Sequence, residues 1–239
     1  MLFCSGNEKI NINYASNGDV SKIYELYKHI SITPKNYLTA LNKGEKSFEH
    51  RGGMFEISLP EDIEKRINDK REKTIVGSYK DSICSMLWYG YWEPEVFEGL
   101  EVLKGNEKLA EVMEKAEKEN KLGYSKEIIS LVEGSKIMPF ALFYKMMSDY
   151  VDEGIAYTVG EVFLVNGYED KNGYKQVDLL NKASFNFLKK SGGIQIGAMP
   201  QKKVDLKGFS VYITPQVFIW DTNKSLYAIK NILSEKGWG

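Results

Sequence analysis

Two hydrophobic periods alternate along this chain, and most of its elements can be read from where one gives way to the other. Ile10-Asn-Ile-Asn-Tyr-Ala15 alternates apolar and polar residues as a half-buried strand does, and Ser16-Asn-Gly-Asp19 breaks it. Val20, Ile23, Leu26, Tyr27 and Ile30 then share one face of a helix behind Asp19 as a cap, with Pro34 closing the segment. His29 lies on this helix and reads as a surface or half-buried residue. Tyr37, Leu38 and Leu41 predict a further turn or two of helix before Gly44, Arg51-Gly-Gly53 marks a loop, and the segment 34–58 either lines a substrate cleft, as a candidate for acceptor binding, or merely connects. A helix opens at Leu59-Pro60, with acids in its first turn. Thr74–Tyr79 and Ser82–Tyr89 are two strands around Lys80-Asp81, so a β-hairpin is expected, with Trp88, Tyr89, Tyr91 and Trp92 crowding its far end.

From Glu93 to Asp152 the pattern turns helical. Leu109, Val112, Met113 and Ala116 form a narrow apolar stripe on a charged helix, and Phe140–Met147 is apolar enough to be well buried. This region is expected to be a helical insertion or lid between two halves of a sheet.

Residues 154–199 carry the clearest succession. Ile155–Val165 is rich in β-branched and aromatic residues and is stopped by Asn166-Gly167. From Tyr174 onward Val177, Leu180, Phe185 and Leu188 recur at helical spacing, Leu179, Ala183 and Phe187 widen the stripe, and Ser191-Gly-Gly193 ends it. Ile194–Ala198 returns to strand. The unit is β-loop-α-β, for which a right-handed crossover between parallel strands is expected. Its loop, Asn166–Lys175, leaves a strand and opens a helix, so free N–H groups and the positive end of the helix dipole would suit a phosphate. Downstream, 201–208 predicts a short helix or turn. Phe209–Ile213 and Gln216–Trp220 predict a hairpin around Thr214-Pro215. Asp221-Thr-Asn223 caps a last helix carrying Leu226, Ile229, Ile232 and Leu233.

Composition narrows the function classes. In 239 residues, 32 Lys plus Arg face 33 Asp plus Glu, so no net field points to nucleic acid or an anionic membrane. No apolar run approaches the length of a membrane span, and the first residues lack the form of a signal peptide, which sets a cytoplasmic expectation. Cys4 and Cys84 are expected as free thiols, and two histidines without clustered cysteine give a metal site no support.

In order, these elements are strand, helix, helix, hairpin, then strand, loop, helix, strand and a closing hairpin. The succession resembles the GNAT-type N-acetyltransferases, which move an acetyl group from acetyl-CoA to an amine. Ile12–Asp19 with Ile23 and Leu26 looks like the family's opening strand and first helix. Thr74–Trp88 is similar to its second and third strands. Glu161–Val165 and the helix reaching Gly192 resemble its fourth strand and pyrophosphate-binding helix. The family's loop carries Arg or Gln, two residues, Gly, one residue, then Gly or Ala. Here those places fall on Asp170, Gly173 and Lys175, so only the central glycine is kept.

The resemblance implies an α/β fold, an α+β mixed sheet flanked by helices, in one domain over 1–239 with the helical insertion at 93–152. It implies acetyl-CoA as cosubstrate and a small-molecule or peptide amine as acceptor, with no metal, nucleic acid or membrane. It places Glu161 as the base, the backbone around Leu164 and Val165 on the thioester, and Lys171, Asn172, Gly173, Tyr174 and Lys175 on the pyrophosphate. Tyr212 or Tyr227 would be the acid. Two other readings stand beside it. One is a GNAT-like domain that binds a ligand or protein without chemistry, and the other is an interaction domain whose helical lid docks another chain.

Overall fold

The computed structural model describes residues 1–30, 58–91, 105–119, 122–131, 136–180, 182–206 and 208–239. Strands β1 (Leu2–Ser5) and β2 (Glu8–Tyr14) open the chain. They are followed by helix α1 (Val20–Ile30), with Ser16 and Asp19 capping the entry turn reciprocally. The expected helix before Gly44 and the loop at 51–53 lie outside the described residues. Helix α2 (Pro60–Asn68) starts on proline with Glu61 and Asp62 in its first turn, where the dipole favours them. Strands β3 (Glu72–Tyr79) and β4 (Ser82–Tyr91) form the expected hairpin. Its two turn residues, Lys80 and Asp81, hold φ of 49° and 62°, the left-handed pair that matches strand twist.

Helix α3 (Glu107–Glu119), strand β5 (Gly123–Ser130) and helix α4 (Met138–Asp152) come next. Strand β6 (Tyr157–Asp170) turns into β7 (Gly173–Leu180), then helix α5 (Lys182–Lys190) and strands β8 (Ile194–Ala198), β9 (Lys202–Leu206) and β10 (Phe209–Asp221) follow. Helix α6 (Thr222–Glu235) ends the succession, capped by Asp221, which accepts from the Lys224 amide at 3.1 Å.

These strands make one sheet in the order β1-β2-β3-β4-β5-β6-β10-β8, with β7 also on β6 and β9 also on β10. Every pairing is antiparallel except β5 with β6. The outer edge of β1 is closed by the chain's last residue, since Cys4 and Gly239 exchange backbone bonds of 3.0 and 3.2 Å. On one face Ile23, Leu26 and Tyr27 of α1 and Ile63 of α2 pack on Val76, Met86 and Ile129. Farther along that face Leu109, Val112 and Ala116 of α3 cover Tyr157, Val159, Val217 and Ile219. On the other face α4, α5 and α6 bury Leu87, Tyr89, Val162, Phe218 and Trp220.

The central helix, α4, buries Met138, Ala141, Leu142, Phe143, Met146, Met147 and Tyr150, at about 1.5–3 kcal/mol for each large side chain. Tyr150 also fixes the sheet beneath it. Its hydroxyl donates to the Gly90 carbonyl at 2.6 Å and accepts the Tyr124 amide at 3.1 Å. Its ring occupies the space of the side chain that Gly123 lacks, where a Cβ would lie 2.7 Å from it. Asp149, on the same helix, collects Tyr14 at 2.9 Å together with Tyr89 and Lys145.

Several expectations are corrected here. The 93–152 region is not helical throughout, because its residues 123–130 form β5, which lies between β4 and β6 in the sheet, and α4 follows on the way to β6. Asn166-Gly167 does not stop β6. Residue 166 is absorbed as a bulge and the strand runs on to Asp170, where Lys171-Asn172 make the true turn. Residues 173–180 are strand, so the helix begins only at Lys182. Residues 202–206 are strand β9. Phe209–Asp221 is one continuous strand through Pro215, whose carbonyl accepts from Met199 at 2.9 Å on the β8 side, where β9 ends and β8 begins. A proline's missing donor costs little at such a joint.

Candidate active site

The only parallel pairing in the sheet among the described residues is short. Gly123, Tyr124 and Ser125 of β5 face Thr158, Val159 and Gly160 of β6, and there the pairing stops while both strands continue. A bulge explains the parting. Opposite β4, Trp88 pairs with Glu127 and Tyr89 with Ser125, so Lys126 is an extra residue at the point of divergence. Beyond it β5 stays with β4 and β6 stays with β10, leaving a wedge.

Strand alternation assigns the backbone groups that line this wedge. Leu131 donates to Cys84 of β4 at 2.9 Å, so Ile129 also faces β4, whereas Ile128 and Ser130 turn their N–H and C=O groups toward the wedge. On β6, Ala156 bonds Thr222 at 3.0 Å on the β10 side, which turns the backbone of Glu161 and Phe163 toward β5. From Leu164 onward β7 closes that edge, and Leu164 and Val165 are in register with Leu180 and Leu179. Among the described residues, two stretches of unpaired strand edge therefore face each other, and an extended ligand is able to pair with either.

Side chains on the α1–α3 face supply the chemistry. Glu161 is half-buried on β6 and forms no hydrogen bond or ion pair with any described residue. Burial raises its carboxyl above the ordinary carboxylate range, and the Lys202 charge opposes this in part. Tyr124, across the apex, has its phenol pushed up by burial and then by the Glu161 charge. Beside them a polar row runs across three strands. Glu72 of β3 accepts from Trp88 Nε1 of β4 at 2.8 Å and from the Lys126 ammonium of β5. Lys126 Nζ lies 4.6 Å from the Trp88 ring, and Arg66 of α2 stacks on that ring at 3.8 Å. Arg66 also pairs with Glu127 at 3.6 Å and donates to Tyr27 at 3.1 Å. Burial raises the Glu127 carboxyl as well, against its bond to Tyr27 and the Arg66 charge.

Of the residues chosen from sequence, Glu161 alone stands at the wedge. The Val165 backbone edge is taken by β7, so it does not supply a free oxyanion donor. Lys171, Asn172, Gly173, Tyr174 and Lys175 form the β6–β7 turn and the start of β7. There Asp170 pairs with Gly173 and accepts from the Asn172 amide at 2.7 Å, and Gly173 takes a φ of 101°. They are turn residues and open no helix. Tyr212 bonds Glu169 at 2.7 Å and faces Gly167, five residues along β10 from the partner of Glu161, about 17 Å away at strand rise. Tyr227 is 68% exposed on α6. The helix dipole argument moves to α4, whose first turn follows β5 without a side-chain cap.

Tyr124, Lys126, Ile128 and Ser130 were missed. Their signal was Tyr124-Ser-Lys-Glu-Ile-Ile-Ser130 itself, eight residues from Gly123 with paired isoleucines, ahead of a helix with Pro139 in its first turn.

Solved structures share this architecture. An N-acetyltransferase from Staphylococcus aureus Mu50 superposes with a TM-score of 0.50 at 11% identity, covering 89% of this chain and 98% of its own. The smu.2055 protein of Streptococcus mutans UA159 gives 0.52 at 14% identity, covering 89% and 99%. A protein from Staphylococcus epidermidis, described as a probable acetyltransferase, gives 0.51 at 10% identity with the same coverage. No family model and no curated protein sequence matches. The fold is that of the GNAT acetyltransferases, a large mixed sheet flanked by helices.

Proposed function

We propose that the protein transfers an acetyl group from acetyl-CoA to a small-molecule or peptide amine. The observation that carries this reading is the wedge between β5 and β6, where the backbone edges at Ile128, Ser130, Glu161 and Phe163 pair with no described strand, in a fold shared with acetyltransferases. In this reading the pantetheine arm lies along β5 as an added strand, and an amide of the open edge polarises the thioester carbonyl. The pyrophosphate lies toward the first turn of α4.

Glu161 takes a proton from the incoming ammonium, a role supported by its lack of a bonded partner among the described residues and its raised carboxyl. The freed nitrogen lone pair attacks the carbonyl carbon and the C–S bond breaks. The thiolate then receives a proton from Tyr124, which burial keeps protonated and which is regenerated from the attacking nitrogen. Release of free CoA thiol across a panel of amines tests this. Turnover that Glu161→Gln suppresses supports the reading, and turnover unchanged by that substitution removes Glu161 from it. Absence of both acetyl-CoA binding and turnover supports a domain that binds a different partner without chemistry.

A further inference from the structure

The wedge requires β5 to leave β6 after a single short pairing, although both strands go on and parallel neighbours gain hydrogen bonds by staying together. A bulge breaks ladder bonds locally, so its extra residue must be held by something else. Here that residue is Lys126, and its side chain is not left to solvent. It reaches back across β4 to Glu72 on β3, lying over the Trp88 ring, while the same carboxylate takes Trp88 Nε1. Both partners are largely buried, with side-chain exposures of 23% for Lys126 and 16% for Glu72. A charge-assisted contact in such surroundings is stronger than one in water. Its pull is directed away from β6.

We propose that Glu72 is a positioning residue for the wedge: it holds the bulged Lys126 toward β3 and so keeps β5 parted from β6. Glu72 does not line the opening. It acts through Lys126 and Trp88, and without it β5 straightens and the parallel ladder extends beyond Ser125 and Gly160. The proposal rests on the acetyl-CoA reading only for its consequence for ligand, not for the opening itself.

Amide hydrogen exchange on the ligand-free protein tests it directly. In the native protein the Ile128 and Ser130 amides exchange fast for strand residues. In Glu72→Gln, which still accepts from Trp88, and in Lys126→Met, they slow at least tenfold as β6 pairs with them. Acetyl-CoA affinity by calorimetry falls about tenfold in the same variants, and the exchanged pair Glu72→Lys with Lys126→Glu recovers most of it. Loss of a merely stabilising ion pair would lower the melting temperature and speed exchange, the opposite sign. Unchanged or faster exchange at Ile128 and Ser130 in the folded Glu72→Gln variant overturns the proposal. If exchange slows as stated but the native protein binds no acetyl-CoA, the proposal stands and the transferase reading falls.

Discussion

Substituting proline at two successive positions separates the two edges of β5. Ser130 presents its N–H to the wedge and makes no ladder bond to β4, whereas Leu131 donates to Cys84 at 2.9 Å. Ser130→Pro therefore removes a donor that folding does not use, and Ser130 is only half-buried, so little side-chain packing is lost. Leu131→Pro leaves a carbonyl of β4 unpaired at a cost of about 1–3 kcal/mol. For a chain of this size that is about 2–12 °C in melting temperature. For ligand the order reverses. Loss of one bond to an added strand weakens acetyl-CoA by about 0.5–1.5 kcal/mol, about two- to tenfold, and the pyrrolidine ring projecting into the wedge adds to this. Thermal denaturation and titration calorimetry read the two effects. Ser130→Pro is expected to melt within about 2 °C of the native protein while binding acetyl-CoA at least fivefold more weakly. A folded Ser130→Pro variant with native affinity would refute the assignment of this edge to the ligand.

Glu161→Gln is expected to lower kcat by about 10²–10⁴-fold and to remove the acidic limb of the pH–rate profile, measured by thiol release. The same substitution tests linkage. The folded state raises the Glu161 carboxyl, so its penalty is absent below the unfolded value and develops as pH rises toward the folded one. Glu161→Gln thus gains stability relative to the native protein at neutral pH but not at pH below about 4, as urea melts at both will show. Gly160→Ala places a Cβ 3.2 Å from the Trp220 ring and 3.4 Å from the Ser125 carbonyl at the apex, and overpacking of about 1–3 kcal/mol should appear in the same melts. The Lys171→Glu, Lys175→Glu double variant alters only the β6–β7 turn and the start of β7, and acetyl-CoA affinity by calorimetry is expected to stay within about twofold.

Where local chemistry and tertiary packing agree, the chain is legible before folding. The Lys80-Asp81 hairpin, α1 behind Asp19, α2 behind Leu59-Pro60 and α6 behind Asp221 all carry turn or cap residues beside an unambiguous period. The central crossover was displaced by one element because Val177, Leu180, Phe185 and Leu188 keep helical spacing although β7 ends at Leu180 and α5 starts at Lys182. Short apolar runs fit both periods, and pairing to β6 decided in favour of strand for residues 173–180. Asp170-Lys-Asn-Gly173 was the stronger hairpin signal, and Asn166-Gly167 drew attention from it. Glu161 was found through the resemblance, which puts a base on the family's fourth strand. The Glu72–Trp88–Lys126 row was not, since it is assembled from three strands whose register no local pattern reveals. Pro215 was read as a turn for a similar reason, because only the joint between β8 and β9 makes it tolerable inside β10.

Amide hydrogen exchange with and without saturating acetyl-CoA tests the central claim, that the parting of β5 from β6 is the acyl-donor site. Protection is predicted at Ile128, Ser130, Glu161 and Phe163, with none at residues 171–175. Protection confined to the β6–β7 turn, or no protection at the two open edges at saturation, would contradict it.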